Sequence, residues 1–296
     1  MATYIGVDGG GTKTRLLVQR DDEPPRYFEF DQTIRFLENG YEAAASRFIE
    51  LLGQVEGLEI DDVKSISIGL AGASMETEQR RFEQAIKSLL QGFTSVHVQG
   101  DASLSLGAAF GDEPGVIVIA GTGSVAIGKT SEGHLVRVGG WGRLLGDEGS
   151  GYAIGLAALR HFVRAHDGRD SGGLLFGALS ASLAAKMEID PRELRSALSR
   201  SEIKPSDHAR IVFETINDPV SAQIIAEAAN DLAEIITVCS KQVKFTGEIR
   251  AIGSVISNKV MLRVVGDLIA ESGLRIKPLD ELAPVEHALQ LAKAAA

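Results

Sequence analysis

The sequence predicts an α/β protein of two related halves, each a mixed sheet flanked by helices, and three observations carry this. Apolar, β-branched runs alternate along the chain with stretches of helical spacing. A unit of strand, glycine-and-hydroxyl turn and second strand occurs near residue 8 and again near residue 120. The 296 residues, 44% of them hydrophobic, suffice for one large or two medium domains. The boundary is read after residue 112. Residues 1–112 form the first domain and 113–283 the second, with a closing helix over 284–296 packing back on the first.

Residues 3–7 are β-rich and run into the turn Asp8-Gly9-Gly10-Gly11-Thr12. From Lys13 to Gln19 the chain is again β-branched and apolar, with no helix cap. Such a turn exposes several backbone N–H groups together and reads as an anion-binding nest. Asp8 at the strand end could hold a cation through water. A dinucleotide fingerprint is excluded, since no helix opens after the glycines.

Residues 26–30 predict a third strand. Residues 39–52 have helical spacing, with Phe48, Ile49, Leu51 and Leu52 on or near one face. A strand over 63–70 ends in Gly69-Leu70-Ala71-Gly72, and 76–90 is helical. A short strand over 95–98 runs into Gly100-Asp101-Ala102. A carboxylate at the end of an apolar strand sits where open α/β sheets keep their chemistry. The same Asp101 would serve as an N-cap of a helix over 102–110, and both readings stand at this point.

Residues 115–127 repeat the opening: strand, the turn Gly121-Thr122-Gly123-Ser124, strand. Two such turns suit the several phosphates of a nucleotide. Residues 123–130 also match the spelling of a phosphate-binding P-loop ending in Gly128-Lys129-Thr130. A P-loop needs a helix N-terminus there. The next four residues, Ser131-Glu132-Gly133-His134, are turn-like instead, so the match is read as a decoy.

A strand over 135–138 leads into residues 139–152, which hold six glycines, the lone Trp141 and the pair Asp147-Glu148. Glycine this dense lets backbone approach a ligand closely and take positive φ. An indole offers a flat wall for a ring and Asp147 an acceptor for hydroxyls; the bland reading is a tight turn with Trp141 in the core. Helices are expected over 152–166, 173–186, 191–200, 205–214 and 220–243. A strand over 250–252 is followed by Gly253-Ser254, a helix from about 258 and the closing helix. The six histidines form no metal-ligand spacing.

A net charge of −10 argues against a nucleic-acid or anionic-membrane surface. An anionic ligand must then be held by local N–H groups and a metal. Cys239 is the only cysteine, which excludes an intrachain disulfide and any multi-cysteine metal site. The chain opens on a strand with no signal peptide before it, and no apolar run reaches bilayer length. A cytoplasmic protein is expected.

Five motifs in order resemble the N-acetylglucosamine kinases. They are Asp8-Gly9-Gly10-Gly11-Thr12, Gly69-Leu70-Ala71-Gly72, Gly100-Asp101-Ala102, Ala120-Gly121-Thr122-Gly123-Ser124, and Gly139-Gly140-Trp141-Gly142 with Gly146-Asp147-Glu148-Gly149-Ser150. The wider group is the benzoyl-CoA reductase activator-type ATPases, within the superfamily of actin, sugar kinases and chaperone ATPases. The resemblance covers nearly the whole chain. It implies a two-domain actin-like, ribonuclease H-like ATPase fold with a nucleotide cleft, an amino sugar and ATP as substrates, Mg²⁺, and a homodimer.

Carried over by similarity, Gly9, Gly10, Gly11, Thr12 and Lys13 form the first phosphate loop, with Asp8 organising Mg²⁺. Gly121, Thr122, Gly123 and Ser124 form the second, and Gly253 and Ser254 the nucleotide-side motif. Asp101 is the base for the sugar hydroxyl. Thr33, Ala71, Gly72, Gly140, Trp141, Gly142 and Asp147 face the sugar. Three positions depart from the pattern: Ser254 replaces a glycine, Thr33 stands for a sugar-contacting Asn, and His287 stands where the family has glycine.

An iron–sulfur activator is excluded by the single Cys239, because a dimer would supply two of the four thiolates usually needed. A repressor would need a basic helix-turn-helix ahead of the first strand. A catalytically weak sugar- and nucleotide-binding ATPase, acting as a sensor or activator, is the alternative reading, and Asp101 argues against it.

Overall fold

The computed structural model describes residues 2–37, 39–73, 75–90, 94–187 and 193–296. The chain divides into two compact units, residues 1–112 with 280–296, and residues 113–279.

In the first unit, β1 (Thr3–Gly9), β2 (Thr14–Arg20) and β3 (Arg26–Phe30) form an antiparallel meander. After α1 (Gly40–Gly53), β4 (Val63–Leu70) adds in parallel beside β1. After α2 (Glu76–Leu89), β5 (Ser95–Gly100) adds in parallel beside β4, and α3 (Asp101–Phe110) follows at once. The strand order is β3-β2-β1-β4-β5. Parallel strands need crossover connections, and α1 and α2 supply them. Phe48, Leu51 and Leu52 of α1 are fully or almost fully buried with Ile5, Val7, Ile66 and Ile68 of the sheet.

The second unit starts with its own meander, β6 (Gly115–Ala120), β7 (Ser124–Lys129) and β8 (Leu135–Gly139). Then come α4 (Gly151–His166), α5 (Leu174–Met187), α6 (Leu194–Ser199), α7 (Ala209–Glu214) and α8 (Pro219–Gln242). The parallel strand β9 (Gly247–Ile252), helix α9 (Lys259–Ala270) and parallel strand β10 (Leu274–Pro278) complete it. The order β10-β9-β6-β7-β8 reads, from its other edge, as the order of the first sheet. The two strand–turn–strand units seen in the sequence are the meanders at equivalent positions of two like-wound sheets.

Helix α10 (Ala283–Ala294) belongs to the first unit. It packs on β1 where Gly6 leaves room: a Cβ there would lie 2.3 Å from the backbone nitrogen of Leu289.

Local chemistry sets the helix starts. Ser150 caps α4, its Oγ accepting from the Ala153 N–H at 3.2 Å. Asp218 precedes Pro219 at the first position of α8 and accepts from the Val220 N–H at 2.9 Å. The Asp218 carboxylate also accepts from the Leu175 N–H at 3.1 Å, so it ties the start of α5 to that of α8.

Three expectations change. Strand β10 is absent from the sequence reading: it is an edge strand, and only Leu274 of it is buried. The helix expected over 205–214 is a 3-10 turn, Pro205–His208, before the short α7. Of the helix expected over 191–200, only Leu194–Ser199 is seen as α6, and its predicted start lies outside the described residues.

Candidate functional site

The expected site residues gather in two groups, one on each unit. In the first unit the parallel register decides the grouping. Asp8 is opposite Gly69, and Gly9 is opposite Leu70, which is opposite Gly100. The ends of β1, β4 and β5 are therefore level. One residue further on, Gly10, Ala71 and Asp101 leave the sheet along the same edge, and the Ala71 N–H donates to the Gly9 carbonyl at 2.8 Å.

Asp101 is the first residue of α3, with Gly100 at the N-cap position. It is thus one residue inside the place where a cap would sit. One of its oxygens accepts from its neighbour's N–H, at Ala102, at 2.8 Å. Asp8 is mostly buried. Burial pushes its carboxyl up to about 6; Arg15 opposes the rise and the Asp101 charge adds to it. Arg15 Nη1 stands 3.7 Å from the Asp8 carboxylate. Thr33 donates its hydroxyl to the Gly10 carbonyl at 2.9 Å and accepts from the Arg35 N–H at 3.2 Å. Lys13 turns to the outer strands, 2.6 Å from Glu29 and 3.6 Å from Asp31.

None of Gly9, Gly10, Gly11, Thr12 or Lys13 takes a positive φ, so the N–H groups of this turn are presented by a turn conformation and not by alternating right- and left-handed residues. The reason is the tight β1–β2 hairpin, which pairs Gly9 with Thr14 across this turn. Gly9 is needed for closeness: a Cβ there would lie 3.0 Å from Leu70 and 3.1 Å from Ile34.

In the second unit Ile119 of β6 is opposite Ile252 of β9, so Gly121 and Ser254 follow the ends of adjacent parallel strands. Gly253 has φ +109°, and a Cβ there would lie 2.5 Å from the Ala120 carbonyl oxygen. A side chain is barred at 253, whereas Ser254 is exposed and tolerated. The glycine–tryptophan stretch is stitched to the Gly121–Ser124 turn. Gly151 N–H donates to the Gly121 carbonyl at 2.7 Å, and Tyr152 N–H to that of Thr122 at 3.2 Å. Ser124 Oγ donates to the Glu148 carbonyl at 2.6 Å, and Ser124 N–H reaches Asp147 Oδ1 at 3.4 Å.

Gly139, Gly140, Gly142 and Gly149 all take positive φ, and Asp147 does so without being glycine, at +59°. A non-glycine residue held there marks a backbone fixed by its surroundings. Trp141 is 76% exposed, which removes the core reading. Leu144 and Leu145 beside it are exposed as well. The P-loop spelling fails structurally, since Gly128 and Lys129 lie in β7 and strand β8 comes next.

A cavity of about 550 Å³ opens beside Gly121, Thr122 and Ser254. Its far wall is Ser206, Asp207, Arg210 and Phe213, from the 3-10 turn and α7. The sequence reading missed this wall. It is brought there by a crossing in which a Cβ on Gly155 of α4 would lie 1.8 Å from the Pro205 carbonyl oxygen. Gly155 inside a helical run was the available signal. The chemistry of the second group is thus backbone N–H at two strand ends, hydroxyls, and a cavity with an aromatic and a guanidinium wall.

Among the described residues no cluster of three or more His, Cys, Asp or Glu could hold a metal ion. Nor is any helix among them long and apolar enough to cross a membrane.

The profile of the BadF/BadG/BcrA/BcrD ATPase family matches residues 5–292. The chain is 32% identical, over 87% of each chain, to an N-acetylmuramic acid/N-acetylglucosamine kinase of Clostridium acetobutylicum. It is 29% identical, over 81% of this chain and 79% of the other, to an N-acetyl-D-glucosamine kinase of Dictyostelium discoideum. Among solved structures, a candidate N-acetylglucosamine kinase from Chromobacterium violaceum aligns over 99% of both chains at a TM-score of 0.75 and 24% identity. That likeness bears out the two-domain α/β fold.

Proposed function

The chain belongs to the BadF/BadG/BcrA/BcrD ATPase family, and from that premise we propose that it is an ATP-dependent kinase acting on an amino sugar of the N-acetylglucosamine or glucosamine type. The observation that carries the reading is the level ending of β1, β4 and β5, which sets Asp8 and Asp101 on one sheet edge. The two relatives that span four fifths or more of the chain are both sugar kinases.

Asp101 is the general base. It accepts the proton of the sugar hydroxyl as the oxygen attacks the γ-phosphorus, and its helix-start position fixes its direction. Thr33, Ala71, Gly72, Gly140, Trp141, Gly142 and Asp147 orient the sugar. The nucleoside occupies the 550 Å³ cavity, against Ser254, Arg210 and Phe213. Gly121, Thr122, Gly123 and Ser124 hold its phosphates by N–H and hydroxyl groups, and Gly9, Gly10, Gly11, Thr12 and Lys13 form the other phosphate turn through their backbone, the Lys13 ammonium being held by Glu29 and Asp31.

A hard cation fits the donor set beside Asp8. The residue is a poorly solvated carboxylate that feels the charge of Asp101 and of Arg15, 3.7 Å away, and Mg²⁺ is commonly held by one or two carboxylates plus substrate phosphates. Bound with ATP, Mg²⁺ would neutralise phosphate charge that a −10 chain otherwise repels. Transfer then depends on positioning and charge neutralisation. A cytoplasmic homodimer, checked by light scattering and cell fractionation, belongs to the same reading.

The test is ADP release over a panel of amino sugars and their N-acetyl forms, with Asp101→Asn beside the parent. Sugar-dependent release is expected. Asp101→Asn should lower kcat about 10²–10⁴-fold with little change in ATP affinity. Turnover by the Asn variant within a few-fold of the parent would reduce Asp101 to a helix-start residue.

A further inference from the structure

Asp8, on the strand that enters the first turn, feels the charge of Asp101, and no residue of the turn is left-handed. An oxyanion there draws positive charge from a side chain, and four basic residues stand near the turn. Three are engaged. Lys13 is held by Glu29 and Asp31. Arg15 is held by Glu29 at 3.0 Å and Glu281 at 3.3 Å, and also faces Asp8. Arg47 donates to the Thr33 carbonyl at 2.9 Å.

Arg35 is different. Its Nε is buried with no hydrogen-bond partner, and among the described residues its guanidinium has no ion-pair partner. Its Nη1 lies 4.0 Å from where a Cβ on Gly11 would stand. The segment is pinned there. Thr33 Oγ1 donates to the Gly10 carbonyl and accepts from the Arg35 N–H, while Arg47 braces the Thr33 carbonyl from α1. Leaving a guanidinium N–H buried and unsatisfied is costly, and a fold that fixes one beside a glycine turn holds it ready for an acceptor. The guanidinium fork matches a phosphoryl group's oxygens better than a point charge does.

We propose that Arg35 binds the transferring phosphoryl group beside the Gly9–Gly11 turn, as a catalytic residue of the reaction. This rests on the kinase reading above. As the sugar oxygen bonds to phosphorus and the bond to the ADP oxygen breaks, Arg35 donates to the phosphoryl oxygens; the hydroxyl proton goes to Asp101. A carboxylate on an acidic sugar is the other oxyanion a guanidinium could take, and the experiment separates the two.

Two measurements test it. Steady-state kinetics on Arg35→Met and Arg35→Lys should show kcat lower by about 10²–10³-fold for Met and by less for Lys, with the KM of a neutral amino sugar changed only a few-fold. Guanidine at low millimolar concentration should restore part of the Met variant's rate. Independently, MgADP with beryllium fluoride should bind the parent more tightly than MgADP alone, and Arg35→Met should lose that increment while keeping MgADP affinity. If the parent transfers no phosphoryl group, the kinase reading fails and the beryllium fluoride increment alone decides Arg35. If the parent transfers and both variants do so within a few-fold, Arg35 is wrong and the reading stands. A defect confined to the KM of carboxylate-bearing sugars also overturns the phosphoryl assignment. Should Arg35→Met lower Tm markedly, Arg35→Lys decides by the same two readings.

Discussion

The imidazole of His287 occupies the space that a side chain on Gly107 would need: a Cβ there would lie 2.3 Å from Nε2. The two residues lock α10 onto α3, the helix that begins at Asp101. The bulk sits on α10, and the facing helix supplies the gap.

Gly107→Ala should therefore destabilise the protein even though alanine favours a helix by about 1 kcal/mol. Overpacking costs about 1–3 kcal/mol. In a His287→Ala background the same change should turn neutral or stabilising. Urea unfolding of the four proteins in the cycle measures the coupling, and additive effects would mean the ring moves aside freely.

Asp8 predicts a pH dependence. Its folded pKa, about 6, lies above the ordinary 3.8, so the fold favours the neutral acid. That stabilisation is full below the unfolded value and is lost as pH rises through about 6. At pH 7–8 the ionised Asp8 burdens the ligand-free protein by about 1–3 kcal/mol. Asp8→Asn should then raise Tm at pH 8 while removing activity, and the gain should shrink toward pH 4. Equal Tm values for parent and variant across that range would show that Arg15 compensates fully.

Asp218 has the opposite sign. Burial pushes its carboxyl up, but backbone N–H donors, led by Leu175 and Val220, outweigh that and hold it below the ordinary carboxylate range. Its contribution is present above the unfolded value and is lost as pH falls through the folded one. Asp218→Ala should cost about 1–2 kcal/mol as a lost cap, and more because two helix starts share it. Melting curves at pH 7 and pH 3 should show the difference between parent and variant narrowing in acid. A constant difference would assign the loss to packing.

How much was legible depends on whether a signal was local. Asp8, Gly121 and Gly253 come directly after apolar runs and Asp101 shortly after one, and strand ends can be read from such runs; the register of parallel strands then makes the ends level within each sheet. The two meanders repeat because turn chemistry repeats. Strand β10 was missed although Leu274 and Ile276 alternate with Arg275 and Lys277, because edge strands bury little. Arg35 carries no signal of its own: its place depends on the Thr33 hydroxyl reaching Gly10 across the chain. The cavity wall at Arg210 and Phe213 depends on the close crossing at Gly155. Contacts between distant segments, not propensities, decide both.

Trp141 gives the most direct optical test. It is the only tryptophan, so red-edge emission reports one position. It is 76% exposed, with Leu144 and Leu145 exposed beside it. Gly139, Gly140 and Gly142 at positive φ hold the loop that presents it. A sugar ring stacking on an exposed indole replaces water on one face. Emission should therefore shift to shorter wavelength, saturably, when amino sugar is added without nucleotide. Trp141→Phe keeps a smaller ring and should raise the sugar KM more than that of ATP. Flat emission over a sugar range that saturates catalysis, with an unchanged sugar KM in Trp141→Phe, would remove Trp141 from the sugar site. The strained Asp147 would then be the residue on which sugar binding through this loop depends, and Asp147→Asn the variant in which to look for the loss.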